Sequence, residues 1–103
     1  MSVQFFLESL PNADGVIVPV RFYARKLHDG PETFDYIARA TGQWFETDRL
    51  WEAERGLNDS DPRPLSFEEA QAAATTLWGE TKGLQVVAAA FDLPGAESLS
   101  PQA

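Results

Sequence analysis

At 103 residues, with 44% hydrophobic and 12% aromatic content, the chain is long enough for one hydrophobic core and too apolar for a disordered protein. The absence of cysteine excludes disulfides, thiolate nucleophiles and zinc sites that need sulfur. A formal net charge of −8 opposes direct binding to nucleic-acid phosphates, whose affinity for proteins comes largely from lysine and arginine.

The negative charge is concentrated in the second half of the chain. Residues 1–45 carry five acids and four bases, whereas residues 46–103 carry eleven acids and four bases. Such a field attracts basic partners over long range, although acidity also simply keeps many small proteins in solution. The N-terminal segment has no basic residues and an apolar run limited to Phe5–Leu7, so neither a signal peptide nor a membrane span is expected, and a cytoplasmic location is predicted.

The first half of the chain predicts three antiparallel strands. Val3–Glu8 alternates between apolar and polar residues, and Val16–Leu27 does so over a longer stretch. Pro19 cannot donate a hydrogen bond to a ladder, so the second strand is predicted to be at an edge or bulged there. The turn His28–Glu32 then joins it to the alternating run Thr33–Thr41, and this pair is predicted to be a β-hairpin.

The middle of the chain is ambiguous between helix and strand. The run Thr47–Gly56 predicts a short helix, capped by Thr47 and ended by Gly56. A strand through Trp44, Glu46 and Asp48 is the alternative. The residues that follow, 57–64, have the composition of a polar loop.

The last part of the chain predicts one capped helix and one strand. Ser66 and Glu69 have the spacing of a capping box, and the helix that they open is predicted to run to about Lys82. Gly79 lies inside this helix and is interpreted as the site of a close contact. The run Leu84–Phe91 is apolar on both faces and predicts a central strand.

These elements together predict an α+β fold, a small antiparallel sheet of about four strands with one or two helices packed on one face. Residues 1–92 are predicted to form a single domain, and residues 93–103 have the composition of a flexible C-terminal tail.

No group of residues predicts catalysis or a bound cofactor. A catalytic relay through His28 would need an acid and a serine to converge on it, and the side chain of the adjacent Asp29 is expected to close the turn instead. The run Asn58–Asp61 resembles the opening of a calcium loop but lacks the glycine and the closing glutamate that such a loop needs. Paired carboxylates are frequent, yet they lie in the most polar part of the sequence, where a raised pKa is not expected. We therefore expect no catalytic residue, no metal and no cofactor.

A candidate binding segment lies between Trp44 and Glu69, where eight acids stand against three arginines with aromatic residues among them. Aromatic anchors inside a polar rim are typical of binding hot spots, although each aromatic could instead fill the core. The candidate partner-binding residues are Trp44, Phe45, Glu46, Asp48, Trp51, Glu52, Glu54, Asp59 and Asp61.

A second set of interface-type residues, Arg21, Tyr23, Arg25 and Arg39, is predicted on the outer face of the hairpin. Cross-strand pairing of Arg21 or Arg25 with Asp35 is the simpler explanation for these arginines.

The function expected from this pattern is non-catalytic binding of a basic protein surface, as an inhibitor or adaptor of a partner such as a nuclease or another nucleic-acid-binding protein. Phage-encoded inhibitors of bacterial defence nucleases, of the anti-CRISPR or anti-restriction type, are one form of this hypothesis; they act as nucleic-acid mimics by presenting carboxylates in place of phosphates. One alternative is a ligand-binding or enzymatic α+β domain with an acidic pocket. Another is a structural subunit that forms a homodimer through the edge containing Pro19 or through the apolar hairpin face. Direct contact with nucleic acid or with a membrane is not expected.

Overall fold

The computed structural model describes residues 2–27 and 33–93, and these residues form a five-stranded antiparallel sheet with helices on both faces. The strands are β1 (Ser2–Pro11), β2 (Ile17–Leu27), β3 (Thr33–Ala38), β4 (Trp44–Glu46) and β5 (Arg63–Leu65). The helices are α1 (Arg49–Glu54), α2 (Phe67–Trp78) and α3 (Glu80–Ala90). The predicted α+β class is confirmed. The sheet has five strands in the order β4-β3-β2-β1-β5 where about four were predicted, and α1 lies on the face opposite to α2 and α3, whereas all helices were predicted on one face.

The predicted hairpin of β2 and β3 is confirmed by their pairing from Phe22 opposite Ala38 to the end of β2. The turn between them, predicted over His28–Glu32, lies outside the described residues. The bulge predicted at Pro19 is also confirmed. The register of β1 with β2 shifts beside Glu8, so that Pro19 is opposite Ser9 and the residue after Pro19 has no partner in β1.

The main core lies between the sheet and the pair α2 and α3. Phe22, at its centre, is fully buried; its ring stacks on Phe5 at 5.6 Å between centroids. Trp44 and Trp78 contact the same ring at 5.7 and 6.0 Å. Lys26 is the one buried cation on this face in the part of the chain described, and its Nζ donates to the carbonyls that end α3.

The capping box at the start of α2 is confirmed, because Glu69 N–H donates to Ser66 Oγ at 3.1 Å and Ser66 N–H donates to the Glu69 carboxylate at 2.9 Å. The helix ends earlier than predicted, at Gly79, whose φ of 88° and ψ of 164° are accessible essentially to glycine alone. The close contact predicted at Gly79 is wrong, since a Cβ there would meet nothing within 4 Å. That contact occurs at Gly83, where a Cβ would lie 2.6 Å from the backbone of Ala74.

The central strand predicted for Leu84–Phe91 is wrong, because this segment belongs to α3. The buried residues Gly83, Val86, Val87 and Ala90 recur at helical spacing. Four other apolar residues of the run are exposed, Leu84, Ala88, Ala89 and Phe91, and they made it look apolar on both faces of a strand. The strands that complete the sheet are the short β4 and β5.

The middle of the chain contains both of its predicted alternatives. Trp44–Glu46 is β4, and the predicted short helix follows as α1. The cap position of α1 is Asp48 and not Thr47, but Thr47 Oγ1 accepts from Arg49 N–H at 3.2 Å just before the helix. Along the chain, α1 lies between the two edge strands, β4 and β5. Its Leu50 packs against Tyr23 and Ile37, on the sheet face opposite to α2 and α3.

The described chain ends at Leu93, which packs against the main core. Leu93 is the first residue of the predicted tail, and residues 94–103 lie outside the described residues. Over the ranges 2–27 and 33–93, each helix is too short or too polar to cross a bilayer.

Candidate functional site

Helix α1 is fixed to the sheet by a forked ion pair. The guanidinium of Arg25 donates to both carboxylate oxygens of Asp35, at 2.7 and 3.1 Å, and to both of Glu54, at 2.7 and 3.0 Å. Its plane lies over the Phe6 ring at 5.5 Å. Hydrogen bonds to Asp35 and then to Glu54 raise the pKa of Arg25, and the bond from Arg25 lowers the pKa of Glu54. The predicted cross-strand pair of Arg25 with Asp35 is thus present and extends to α1.

A buried polar network fixes the start of α1 and the loop that follows it. The Glu8 carboxylate, almost fully buried, accepts from Arg21 Nη1 and from the Tyr23 hydroxyl, each at 2.9 Å. Arg49, from the first turn of α1, donates through Nε to the Tyr23 hydroxyl at 3.0 Å. It also donates through Nη2 to Ser60 Oγ at 2.6 Å. Burial is the main cause of the raised pKa of Tyr23.

These contacts account for most of the polar patch predicted on the outer hairpin face. Arg21 and Arg25 are ion-paired, and Tyr23 is fully buried. Arg39 remains exposed, with its guanidinium over the Phe45 ring at 5.5 Å. The patch is therefore largely part of the structure that supports α1.

An open concavity of about 660 Å³ lies where the start of β3, the end of β4 and the first turns of α1 meet. We call it the acidic groove. Its lining residues are Thr33, Phe34, Asp35, Glu46, Thr47, Asp48, Trp51 and Glu52. The structure thus brings together four of the candidate residues, Glu46, Asp48, Trp51 and Glu52, on one surface.

The carboxylates of Glu46, Asp48 and Glu52 make no ion pair within the described part of the chain. Neither of the two arginines that neighbour them in sequence forms an ion pair with them. Arg49 enters the buried network, although its charge still interacts with Glu52, and Arg55 stacks on Trp51 at 4.1 Å from the ring centroid. The groove therefore carries three carboxylates that have no ion-pair partner in the described chain.

Trp51 supplies the aromatic surface of the groove. Its side chain is 47% exposed, although one face of the ring is covered by Arg55. A half-exposed indole beside free carboxylates matches the hot-spot composition expected from the sequence.

Two candidate aromatic residues lie outside the groove. Trp44 is half-buried on the main core, where its Nε1–H donates to the carbonyl of Val86 at 2.9 Å. Phe45 is exposed, but it projects beside Ile37 on the α1 face and does not line the groove.

The remaining candidate acids do not line the groove. Glu54 is held by Arg25, while Asp59 and Asp61 are exposed in the loop after the helix. Asp61 and Glu54 share a second, smaller hollow of about 180 Å³. Sequence reasoning missed Phe34 and Asp35 as groove residues; the only signal for Asp35 was its predicted pairing with arginine.

The calcium-like run Asn58–Asp61 is held by protein contacts. Asn58 Oδ1 accepts from Ser60 N–H at 2.9 Å, and Asn58 Nδ2 donates to the carbonyl of Arg49 at 3.2 Å. Across residues 2–27 and 33–93, no three histidine or carboxylate side chains converge as metal ligands would. His28 lies outside the described residues.

Comparison of the chain with protein-family models, curated protein sequences and solved structures finds no match.

Proposed function

We propose that this protein binds a basic surface of a partner protein through the acidic groove, and that it acts as an inhibitor or adaptor. The observation that carries the proposal is the joint placement of Glu46, Asp48 and Glu52, none of them ion-paired in the described chain, around the half-exposed Trp51. A lysine or arginine of the partner gains an ion pair there without displacing an existing one. An arginine can also stack on the indole.

The rigid attachment of α1 supports this proposal. The forked Arg25 ion pair and the buried Glu8 network fix both ends of the helix that carries Trp51 and Glu52. A surface whose side chains are already positioned loses less conformational entropy on binding than a flexible one.

The more specific form of the proposal is mimicry of nucleic acid. Grooves that bind single strands combine lysine and arginine for the phosphates with aromatic side chains for the bases. The acidic groove presents the complementary set, carboxylates and an indole. A nuclease or another nucleic-acid-binding protein is therefore the partner class that we propose, with bacterial defence nucleases as the leading example.

The test is capture of the partner from cells of the native host, with identification by mass spectrometry. Wild type is compared with a groove variant, Glu46→Gln/Asp48→Asn/Glu52→Gln. The control variant, Glu68→Gln/Glu80→Gln/Asp92→Asn, removes the same formal charge at exposed positions outside the groove. We expect wild type and control to retain the same partner, and the groove variant to lose it.

Salt tests whether the partner binds through charge, and competing nucleic acid tests whether the groove mimics nucleic acid. Retention should fall steeply as NaCl rises, since exposed charges are screened beyond about 10 Å at 0.1 M. A single-stranded oligonucleotide should release the partner if the groove mimics nucleic acid. Equal retention of wild type and groove variant would contradict groove binding, and a partner that the oligonucleotide does not displace would contradict mimicry alone.

A second candidate is a small cationic ligand, such as a polyamine, bound in the same groove. The volume of about 660 Å³ favours it, because small-molecule sites typically span about 300–1,000 Å³. Spermidine at a hundred times its dissociation constant should then stabilise wild type by about 2.7 kcal/mol and leave the groove variant unchanged. An unshifted melting temperature with spermidine would exclude this candidate.

A further inference from the structure

The hairpin of β1 and β2 extends beyond the rest of the sheet. Strand β5 pairs with β1 only from Phe5 to Leu7, and β3 pairs with β2 only from Phe22 onward. Residues 9–20, which we call the hairpin arm, therefore form a two-stranded ribbon, and neither strand of it has a second neighbour among the described residues.

The arm is apolar on both faces. Leu10 is opposite Val18 and Pro11 is opposite Ile17, and successive pairs of a ladder point to opposite faces. Leu10 and Ile17 are exposed, Ile17 to 65%. Val16, in the turn, is exposed as well. Isolated apolar side chains are normal on a protein surface, but a ribbon that is apolar on both sides indicates a contact surface.

The distribution of charge indicates what the arm contacts. Asp14 is the only charged residue between Glu8 and Arg21, in a chain with a net charge of −8. The acidic groove lies near the other end of β2, where Arg25 pairs with Asp35, roughly 25 Å along the strand from Ile17. Two copies of this chain repel each other at most orientations, and they repel least when their arms meet.

We propose that the hairpin arm is a self-association surface, on which the arms of two copies pack antiparallel about a twofold axis. The outer backbone edge of β1 beyond Glu8 is open in the described structure, and no lysine or arginine protects it between Glu8 and Arg21. Pro19 and the bulge beside it interrupt the β2 edge, and the open part of the β1 edge is short and ends at Pro11, so the apolar side chains of the two arms form the main contact. A dimer of this kind leaves both acidic grooves open at its far ends.

Salt distinguishes this association from binding at the groove. Sedimentation velocity of the full chain over a range of concentrations, from about 0.05 to about 0.5 M NaCl, should show a monomer–dimer equilibrium that shifts toward dimer as repulsion is screened. Binding of the partner at the groove should instead weaken as the NaCl concentration rises. A chain that stays monomeric at every concentration and salt, or a dimer that salt dissociates, would overturn the proposal and leave the proposed function untouched.

A matched pair of variants tests the location. Ile17→Lys and Leu57→Lys introduce the same charge at side chains that are 65% and 63% exposed, so neither change removes a buried contact. In a twofold dimer each substitution acts twice, and we expect Ile17→Lys to raise the dimer dissociation constant at least about tenfold. Leu57→Lys should leave it unchanged or lower it slightly, because its charge reduces repulsion. Equal effects of the two variants would place the contact elsewhere and refute the proposal.

Discussion

The two faces of the sheet are held by different forces. The α2 and α3 face contains a continuous apolar cluster, built around Phe22 and closed by Val86 and Val87. The α1 face has a small apolar cluster, Tyr23 with Leu50 and Ile37, and depends on charged hydrogen bonds at its margins. Apolar packing contributes stability in proportion to buried area, whereas the charged contacts fix geometry. The difference suggests that one face supplies the fold and the other positions the surface that binds.

The largest effect is expected on the apolar face. Phe22→Ala removes a fully buried ring and its contacts with Phe5 and Trp44, and it should lower the free energy of unfolding by about 3–5 kcal/mol. Phe45→Ala, at an exposed aromatic residue of the same sheet, is the control and should cost less than about 1 kcal/mol. Urea denaturation followed by circular dichroism measures both. Similar losses for the two variants would mean that the faces do not differ in this way.

The next effect is expected where α1 is attached. Arg25→Met leaves the carboxylate of Asp35, 8% exposed, without its cation, and it also releases Glu54. Breaking such a pair is costly because a charge stays buried, and we expect a loss of about 2–3 kcal/mol, discounted for the exposure of Glu54. Arg39→Met removes the same charge at an exposed site and should cost less than about 1 kcal/mol. Hydrogen exchange should place the new mobility of Arg25→Met in α1 and not in α2; uniform exchange would contradict the assignment.

A smaller effect on the apolar face comes from the cap of α2. Ser66→Ala removes the oxygen that accepts from Glu69 N–H and should cost about 0.5–2 kcal/mol. Ser66→Asp keeps a capping oxygen and should retain most of the stability. Thermal unfolding compares the two. A loss of the same size in both variants would show that the hydroxyl matters for a reason other than capping.

The Glu54 half of the ion pair gives a pH-dependent prediction. Because Arg25 lowers the pKa of Glu54 in the folded state, the stabilisation is fully present above the ordinary carboxyl pKa of about 4.3 and is lost as the pH falls through the folded value. Glu54→Gln should therefore cost less than about 1 kcal/mol at pH 7, as expected for a half-exposed pair. The difference from wild type should disappear as the pH approaches about 2. A difference that persists there would mean that the glutamate acts by packing and not by charge.

Local signals in the sequence predicted the parts of the fold that local chemistry determines. The capping box of Ser66 and Glu69 and the bulge at Pro19 depend on neighbouring residues alone. Strand β5 was missed because its three residues form a strand only by pairing with β1, with Leu65 opposite Phe5. The two strands are far apart in sequence, so no local pattern indicates this pairing. Helix α3 was missed because Leu84, Ala88, Ala89 and Phe91 are apolar although exposed, which hides the helical spacing of its buried residues.

The candidate site was predictable in composition but not in arrangement. The sequence locates the acidic segment, yet it does not show that Arg25 reaches across from β2 to occupy Glu54. Nor does it show that the Arg49 side chain extends toward Glu8. Glu8 is a polar position in the alternation of β1 and would be expected to be exposed, but it is buried. These long-range contacts decide which carboxylates form ion pairs. The folded structure is therefore needed to show that Glu54 is paired with Arg25 and that Glu52 has no ion pair in the described chain.

The smallest effect on stability is expected at the groove itself. Glu46→Gln/Asp48→Asn/Glu52→Gln removes charges that have no ion-pair partner among residues 2–27 and 33–93, and the free energy of unfolding should change by no more than about 0.5 kcal/mol. A slight gain is the expected sign, since three like charges that line one concavity repel one another. Urea denaturation beside Arg25→Met compares the groove carboxylates with the ion pair that attaches α1 to the sheet. A loss above about 1 kcal/mol would mean that these carboxylates hold the fold together, and that their exposure along the groove does not mark them as a binding surface.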